Sequence, residues 1–158
     1  MILETSKGRF DDMNDLKLKI YSLFLSAFSM SIGGLIYLLA RPSEAVAIKY
    51  LIEVLPFLSV IREITVSLSY PDWFLYNLSD LLWSYSYSMV ILGLWIGEKT
   101  LESFLWICTI PVLTIGYEVS QHWSFIPGTF DFSDLAFISL GIFFSLITIK
   151  VLRSVLDE

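Results

Sequence analysis

The longest charge-free run of the chain, Ile20–Ala40, limits the available folds more than any other feature. Its 21 residues lie between Lys19 and Arg41. At about 1.5 Å per residue, a helix of this length matches the hydrocarbon layer of a bilayer, about 30 Å thick. The run ends in Arg41-Pro42 instead of a small-residue cleavage site, so we expect it to be retained. It predicts a first membrane span over residues 20–40.

Composition extends this prediction to the whole chain. Of its 158 residues, 56% are hydrophobic and 16% charged, and the mean hydropathy is +0.71. A soluble domain has about 25% charged residues, so a soluble fold would expose much apolar surface. We therefore predict an all-α polytopic membrane protein in which residues 1–158 form a single membrane domain. Its four transmembrane helices would cover residues 20–40, 81–97, 101–121 and 132–152.

The segment between the first two spans is too charged to cross a membrane. Residues 44–69 contain charged side chains on both sides of Pro56, and apolar residues recur there at helical spacing. We predict two short amphipathic helices along the membrane interface. A re-entrant hairpin with Pro56 at its tip is the alternative.

The third and fourth spans are short if they end at the flanking charges. Each has 15 uncharged residues, between Glu102 and Glu118 and between Asp134 and Lys150. Such a helix covers roughly 22 Å, less than a typical bilayer core. Thinning of the bilayer or inward movement of flanking groups would make up the difference. We expect Glu118 and Asp134 to lie at or just below headgroup level.

The distribution of basic residues predicts the orientation of the spans. With four spans, both termini and the turn at residues 98–100 share one side of the membrane. That side has seven basic residues against three on the other. The positive-inside rule then places both termini in the cytoplasm.

Charge and cysteine content exclude several classes of partner. The net charge of -6 and the lack of a basic patch argue against nucleic acid. A single cysteine, Cys108, cannot form an intramolecular disulfide. A zinc site from Glu118, His122 and Asp134 is conceivable, but a lone histidine after a helix end is more typical of a hydrogen-bonding residue. We predict the lipid bilayer as the main partner, and neither a metal site nor a cofactor.

The candidate site is a polar stretch between the third and fourth spans. Residues 117–134 contain Glu118, Gln121, His122, Asp131 and Asp134 and no lysine or arginine. An ionisable group at membrane depth is costly unless it serves a function or has a buried partner. We predict Glu118 as the central acid–base or ligand-binding group, Gln121 as its orienting amide and Asp134 as the second carboxylate. His122 and Asp131 are predicted binding residues.

The second span adds further candidates and an alternative explanation. Antiparallel spans bring Asp80 to the depth of the other acids, with Ser84 and Tyr85 as supporting donors, and we predict a binding role for all three. Asp80 and Asp131 are equally well explained as N-caps. Glu118 lies at a helix C-terminus, where the dipole disfavours a negative charge, so capping does not explain it.

Part of this pattern resembles a known family. The sequence Glu118-x-x-Gln121, then Pro127-Gly128, Asp131-x-x-Asp134 and Gly141, is similar to that of the VanZ-like family of small bacterial membrane proteins. The resemblance implies a bacterial cell membrane location and, through the family's namesake, a link to glycopeptide resistance. It also implies that the two pairs of polar residues are the family's signature. Two positions differ, since Gly128-Thr129 replaces a usual arginine and Ile138 a usual asparagine.

Three functions fit these residues. The preferred one is an outward-facing carboxylate and amide pocket that binds or acts on an envelope component, such as a lipid-linked or amphiphilic molecule. Whether it is an enzyme stays open, and a non-enzymatic accessory or binding protein is the alternative. A small transporter is disfavoured, because the sequence has no charge near the membrane midplane and no visible inverted repeat.

Overall fold

The computed structural model describes residues 2–40, 46–66, 70–71, 73–95, 97–126 and 130–157. Within these ranges the chain is helical and contains no strand, so the all-α prediction is confirmed. A single π-helical turn, Trp73–Asn77, leads directly into the fourth α-helix. Arg41-Pro42 and Pro127-Gly128 lie outside the described residues. The α-helices are α1 Ile2–Ala40, α2 Val46–Val54, α3 Phe57–Val66, α4 Leu78–Trp95, α5 Leu101–His122 and α6 Phe132–Leu156.

Three of these helices are long and apolar enough to cross a membrane. They are the Met13–Leu39 part of α1, the whole of α5 and the whole of α6. Three such helices indicate a multi-pass membrane protein. The remaining long helix, α4, has 18 residues, among them four serines and Asp80, and is not one of these three.

Helices α5 and α6 continue through the charged residues that bound their apolar runs. Glu102 and Glu118 lie inside α5, and Lys150 lies inside α6. The two helices therefore have 22 and 25 residues, which is roughly 33 and 37 Å. Helices α5 and α6 contain the predicted spans of residues 101–121 and 132–152. The depth of Glu118 and Asp134 in a membrane stays a prediction.

Helix α4 forms the centre of the bundle. It packs most extensively against α6 and α1 and less against α5. It runs antiparallel to α1, since Ser29 bonds to Leu82 near the start of α4 while Ser22 lies against Gly93 near its end. It also runs antiparallel to α5, where the Trp95 and Trp106 rings stack. It runs parallel to α6, since Ser84 bonds to Ile138 toward the start of both helices and Gly97, just beyond α4, lies near Arg153 at the end of α6.

Small polar residues join α4 to α1 and α6. We call this contact the serine seam, and its five buried residues are Ser22, Ser26, Ser29, Ser84 and Ser86. The Ser26 and Ser86 hydroxyls are hydrogen-bonded at 2.9 Å, and the Ser84 hydroxyl donates to the Ile138 carbonyl at 3.1 Å. In a bilayer, burying apolar groups between helices gives little gain over lipid, so small residues and hydrogen bonds drive association. The serines therefore explain how the central helix packs closely against two neighbours.

Gly141 allows the closest approach between α4 and α6. A Cβ at this position would overlap the Ser84 hydroxyl and the Leu81 carbonyl. Because one of the overlapping atoms belongs to the backbone, a side chain could fit only if the helices moved apart. The apolar core lies toward the opposite half of the bundle from the acids, around Leu18, Met89, Leu92, Ile110 and Ile149.

Helix α3 closes the C-terminal end of α1. Arg62, which is buried, donates to the Leu38 carbonyl, and the Thr65 hydroxyl donates to the Leu39 carbonyl at 2.7 Å. These bonds satisfy carbonyls that a helix terminus leaves without intrahelical partners, and the positive charge of Arg62 complements the helix dipole. The opposite side of α3 exposes apolar residues, including Phe57 and Ile64. An interfacial position for α2 and α3 stays a prediction.

Candidate functional site

The predicted acidic residues come from different helices and lie at the same end of the bundle. Asp80 is in the first turn of α4, Glu118 in the last turns of α5 and Asp134 in the first turn of α6. The alternating helix directions place these three positions together. Their environments differ, and the differences separate a candidate binding group from structural ones.

Glu118 is buried without full hydrogen bonding. Its side chain is 7% exposed, and its Oε2 atom has no hydrogen-bond partner among the described residues. Asp134 and, more weakly, Asp131 lie close enough to repel a charge on this carboxylate. A buried carboxylate that lacks partners is costly, and more so in a membrane than in water. The fold therefore tolerates a group that weakens it.

Asp134 has a partner that the sequence did not point to. The Asn77 amide donates to Asp134 Oδ1 at 2.7 Å and to the Ser133 hydroxyl at 3.1 Å. Asn77 is buried in the π-helical turn before α4. Nothing in the local sequence pattern around this asparagine reveals a partner 57 residues away.

Asp131 is the N-cap of α6, as predicted. Its carboxylate accepts a hydrogen bond from the Ser133 backbone N–H at 2.8 Å. This bond, together with one from the Ser133 side chain, lowers the pKa of Asp131 from its ordinary value. Asp131 is exposed, so the geometry gives it a capping role at the rim of the site.

Asp80 is the third residue of α4 and not its N-cap. The capping explanation was wrong here, because the π-helical turn runs directly into α4 and helical backbone already begins at Leu78. A carboxylate in the first turn still benefits from the helix dipole. Asp80 also lines the cleft beside Glu118.

This cleft has a volume of about 770 Å³ and lies between α1, α4 and α5. Helices α1 and α5 both pack on α4 but make little or no contact with each other, so the cleft opens sideways between them. The outer walls are apolar and well exposed, whereas the floor is buried and contains Glu118. The lining residues are Leu23, Ser26, Ala27, Met30, Asp80, Trp83, Ser84, Ser86, Tyr87, Val90, Leu113, Thr114, Tyr117, Glu118 and Ile138.

The predicted donors on α4 have partners within the helix bundle. Ser84 lines the cleft, but its hydroxyl donates to the Leu81 and Ile138 carbonyls. The Tyr85 hydroxyl donates to Thr148 on α6 at 3.2 Å, and Tyr85 is not part of the cleft lining. Both contacts join α4 to α6.

Gln121 and His122 lie at the end of α5, outside the cleft lining. Gln121 is half-buried, one turn beyond Glu118. The exposed His122 ring contacts the Phe130 ring edge-on, with a centroid distance of 5.0 Å. Over the residues that the structure describes, no group of three or more His, Cys, Asp or Glu side chains could hold a metal ion.

The cleft includes residues that sequence analysis missed. Trp83, Tyr87 and Tyr117 line it from α4 and α5, and α1 contributes a whole wall. The aromatics carry no sequence signal that separates them from interfacial or packing residues. The spacing of Ser22, Ser26 and Ser29 does place small residues on one face of α1, and it could have shown which face meets α4.

Comparison with protein-family models, with curated proteins and with solved structures finds no match for this chain.

Proposed function

We propose that this protein crosses the membrane four times and binds an amphiphilic envelope molecule in the cleft beside Glu118. The fourth crossing is α4, whose 18 residues span roughly 27 Å. It lies among three apolar helices, so its serines and Asp80 need not face lipid. Helices α2 and α3 would lie along the interface, with exposed Phe57 and Ile64 toward the lipid.

The proposed orientation puts the cleft in the outer half of the bilayer. It follows from the excess of basic residues on the side of the termini, which would be cytoplasmic. The resemblance to the VanZ-like family agrees with a bacterial cell membrane and with an envelope ligand. That assignment is a hypothesis that depends on the residues quoted above and on their two departures.

One observation carries the proposal: Glu118 is buried at a cleft and keeps an oxygen without a hydrogen-bond partner among the described residues. A purely structural carboxylate would have its bonds satisfied by the protein. A ligand with an N–H or O–H donor would supply the missing bond. Hydrogen bonds to a charged group are the stronger kind, contributing about 1.5–3 kcal/mol.

The shape of the cleft favours an amphiphile over a small polar ligand. Leu23, Ala27, Met30 and Leu113 offer an apolar wall that is open to the side. A molecule already in the bilayer could enter between α1 and α5 and keep its chain among these residues. Its head group would then reach Glu118.

Binding fits the geometry better than acid–base catalysis does. The predicted second carboxylate, Asp134, accepts a hydrogen bond from Asn77, and the predicted orienting amide, Gln121, lies outside the cleft lining. Neither group lines the cleft with Glu118, although Asp134 lies near Glu118 outside the lining. A non-enzymatic binding protein is the function that these contacts support.

Native mass spectrometry of the protein extracted from its membrane, with the surrounding lipid, tests the proposal. We expect a bound molecule with the wild type, and at least a tenfold loss with Glu118→Gln or with Ala27→Phe, which fills the cleft. Ala136→Phe is the matched control, since Ala136 is exposed on α6 and does not line the cleft.

Equal retention by the wild type and by both cleft variants would refute the proposal. A bound molecule that the wild type alters chemically, and that Glu118→Gln retains unaltered, would assign catalysis to the same residues.

A further inference from the structure

We propose that the cleft selects amphiphiles with a positively charged head group. This inference deepens the proposed function and rests on it. The charged side chains that line the cleft are Asp80 and Glu118, and its described lining includes no lysine, arginine or histidine. The Glu118 carboxylate would repel an anionic head group and attract a cationic one.

Glu118 is the main contact for such a head group. It is more than nine-tenths buried, it lines the cleft, and its Oε2 has no partner in the described part of the chain. A carboxylate can only accept hydrogen bonds, and an ammonium can only donate them. An ammonium would therefore donate the hydrogen bond that Glu118 lacks. The low dielectric of the buried site strengthens the attraction between the two charges.

The neighbouring acids add to the preference for a cation. Asp134, and then Asp131, lie within electrostatic range of Glu118 and make its surroundings more negative. Asp134 accepts the Asn77 hydrogen bond in this position. A bound cation would reduce the repulsion among these carboxylates. A neutral head group would not.

Aromatic rings supply the second kind of contact that a cation favours. Trp83, Tyr87 and Tyr117 line the same cleft. The Tyr87 hydroxyl is hydrogen-bonded to Thr109 at 2.7 Å, which fixes its ring. The face of an aromatic ring attracts an ammonium group, and tryptophan does so most strongly. Carboxylate and aromatic groups at one cleft suit a substituted ammonium head.

Calorimetric titration of the protein in nanodiscs of an uncharged diglycosyl lipid, which has no ammonium group, tests this selection, with empty nanodiscs as the blank. Dodecyltrimethylammonium, dodecyl maltoside and dodecyl sulfate share one chain and differ in head-group charge. We expect the cationic probe to bind the wild type about tenfold or more tightly than the neutral one, and the anionic probe to bind weakest. Tetramethylammonium, the head group alone, should bind at least tenfold more weakly than its dodecyl form.

Two variants locate the source of the preference. Glu118→Gln should remove the advantage of the cationic probe. Glu63→Gln should keep it, because Glu63 is an exposed acid of α3 at the same end of the bundle, outside the cleft. Equal loss in both variants would mean that overall charge attracts the probe, which would overturn the inference.

The remaining outcomes separate this inference from the proposed function. If the three probes bind equally and all weaken in Ala27→Phe, the cleft binds amphiphiles and the charge selection is wrong. If Ala27→Phe changes no probe's affinity, the proposed function itself fails. Tetramethylammonium binding as tightly as its dodecyl form would replace the amphiphile with a small cation.

Discussion

The serine seam and the Glu118 carboxylate are two sets of polar groups beside helix α4, and they differ in hydrogen bonding although Ser26, Ser84 and Ser86 also line the cleft. In the seam, hydroxyls on α1 and α4 bond to one another and to carbonyls of facing helices. In the cleft, on the side toward α5, the Glu118 carboxylate is buried with an oxygen that has no partner among the described residues.

This difference distinguishes polar residues that hold the bundle together from one that weakens it. The seam serines let α4 pack closely against α1 and α6, where hydrogen bonds replace the hydrophobic effect that lipid removes. Helix α5 packs less closely on α4, and the space between them is where the unsatisfied carboxylate lies. A destabilising group beside a cleft is the pattern expected of a binding site.

The largest effect should come from placing a side chain at Gly141, where α6 meets the backbone of α4. Gly141→Val places side-chain atoms against the Leu81 carbonyl and the Ser84 hydroxyl, so α6 must move away. We expect a loss of roughly 3 kcal/mol or more, seen as a lower thermal midpoint in detergent and poor accumulation in membranes. Gly116→Val on α5 is the control, because a Cβ there meets no heavy atom within 4 Å. Equal losses of stability in Gly141→Val and Gly116→Val would contradict the closer packing of α6 than of α5 on α4.

Glu118→Leu should stabilise the protein while it abolishes binding. It removes a buried carboxylate that lacks a full set of hydrogen bonds, whose cost is about 1–3 kcal/mol. The thermal midpoint in detergent should therefore rise, and ligand retention should fall. Ser120→Ala is the control on α5, since the Ser120 hydroxyl bonds only locally, to the Gly116 carbonyl, among the contacts described. A lower midpoint for Glu118→Leu would mean that Glu118 has a structural role.

A pair of serines within α4 tests whether hydrogen bonding explains the seam. Ser86→Ala leaves the Ser26 hydroxyl without its partner and should cost about 1 kcal/mol. Ser88→Ala should be neutral or slightly stabilising, because the buried Ser88 hydroxyl has no partner in the described residues. Thermal midpoints in detergent compare the two. The reverse order would show that shape, and not hydrogen bonding, sets the strength of this contact.

The smallest effect concerns the exposed rim of the site. The lowered pKa of Asp131 means that its cap contributes stability above the ordinary pKa of an aspartate, and that this contribution is lost as the pH falls through the lowered value. Asp131→Ala should therefore lower the thermal midpoint at pH 7 and have less effect at pH 3. Asp131→Asn, which caps without titrating, should show little of this pH dependence. A pH-independent effect of Asp131→Ala would argue against capping.

The sequence predicted those parts of the fold that depend on local residue pattern alone. Long apolar runs gave the all-helical architecture, and Asp131 was identified as a cap from its position before an apolar run. The bounds of the last two helices were also close to the predicted ranges of 101–121 and 132–152, with Leu101–His122 and Phe132–Leu156 observed. The end of α6 was the least predictable, because apolar residues continue beyond Lys150.

Of the candidate site, only the acidic residues could be predicted from the sequence. Glu118 stood out because a helix C-terminus disfavours a negative charge. Its partners depend on how distant segments pack, so the contacts of Asp134 with Asn77 and of Tyr85 with Thr148 have no local signature. The wall formed by α1 was missed for the same reason, since its apolar residues look like any lipid-facing surface.

Covalent labelling with a hydrophobic carbodiimide, dicyclohexylcarbodiimide, tests most directly whether Glu118 faces a cleft open to lipid. The reagent partitions into membranes and modifies carboxyl groups that it can reach there, and mass spectrometry locates the product. We predict an adduct on Glu118 that Ala27→Phe prevents and Ala136→Phe does not. Labelling of Asp131 and Asp134 with Glu118 unmodified, or labelling of Glu118 that Ala27→Phe leaves unchanged, would contradict the account.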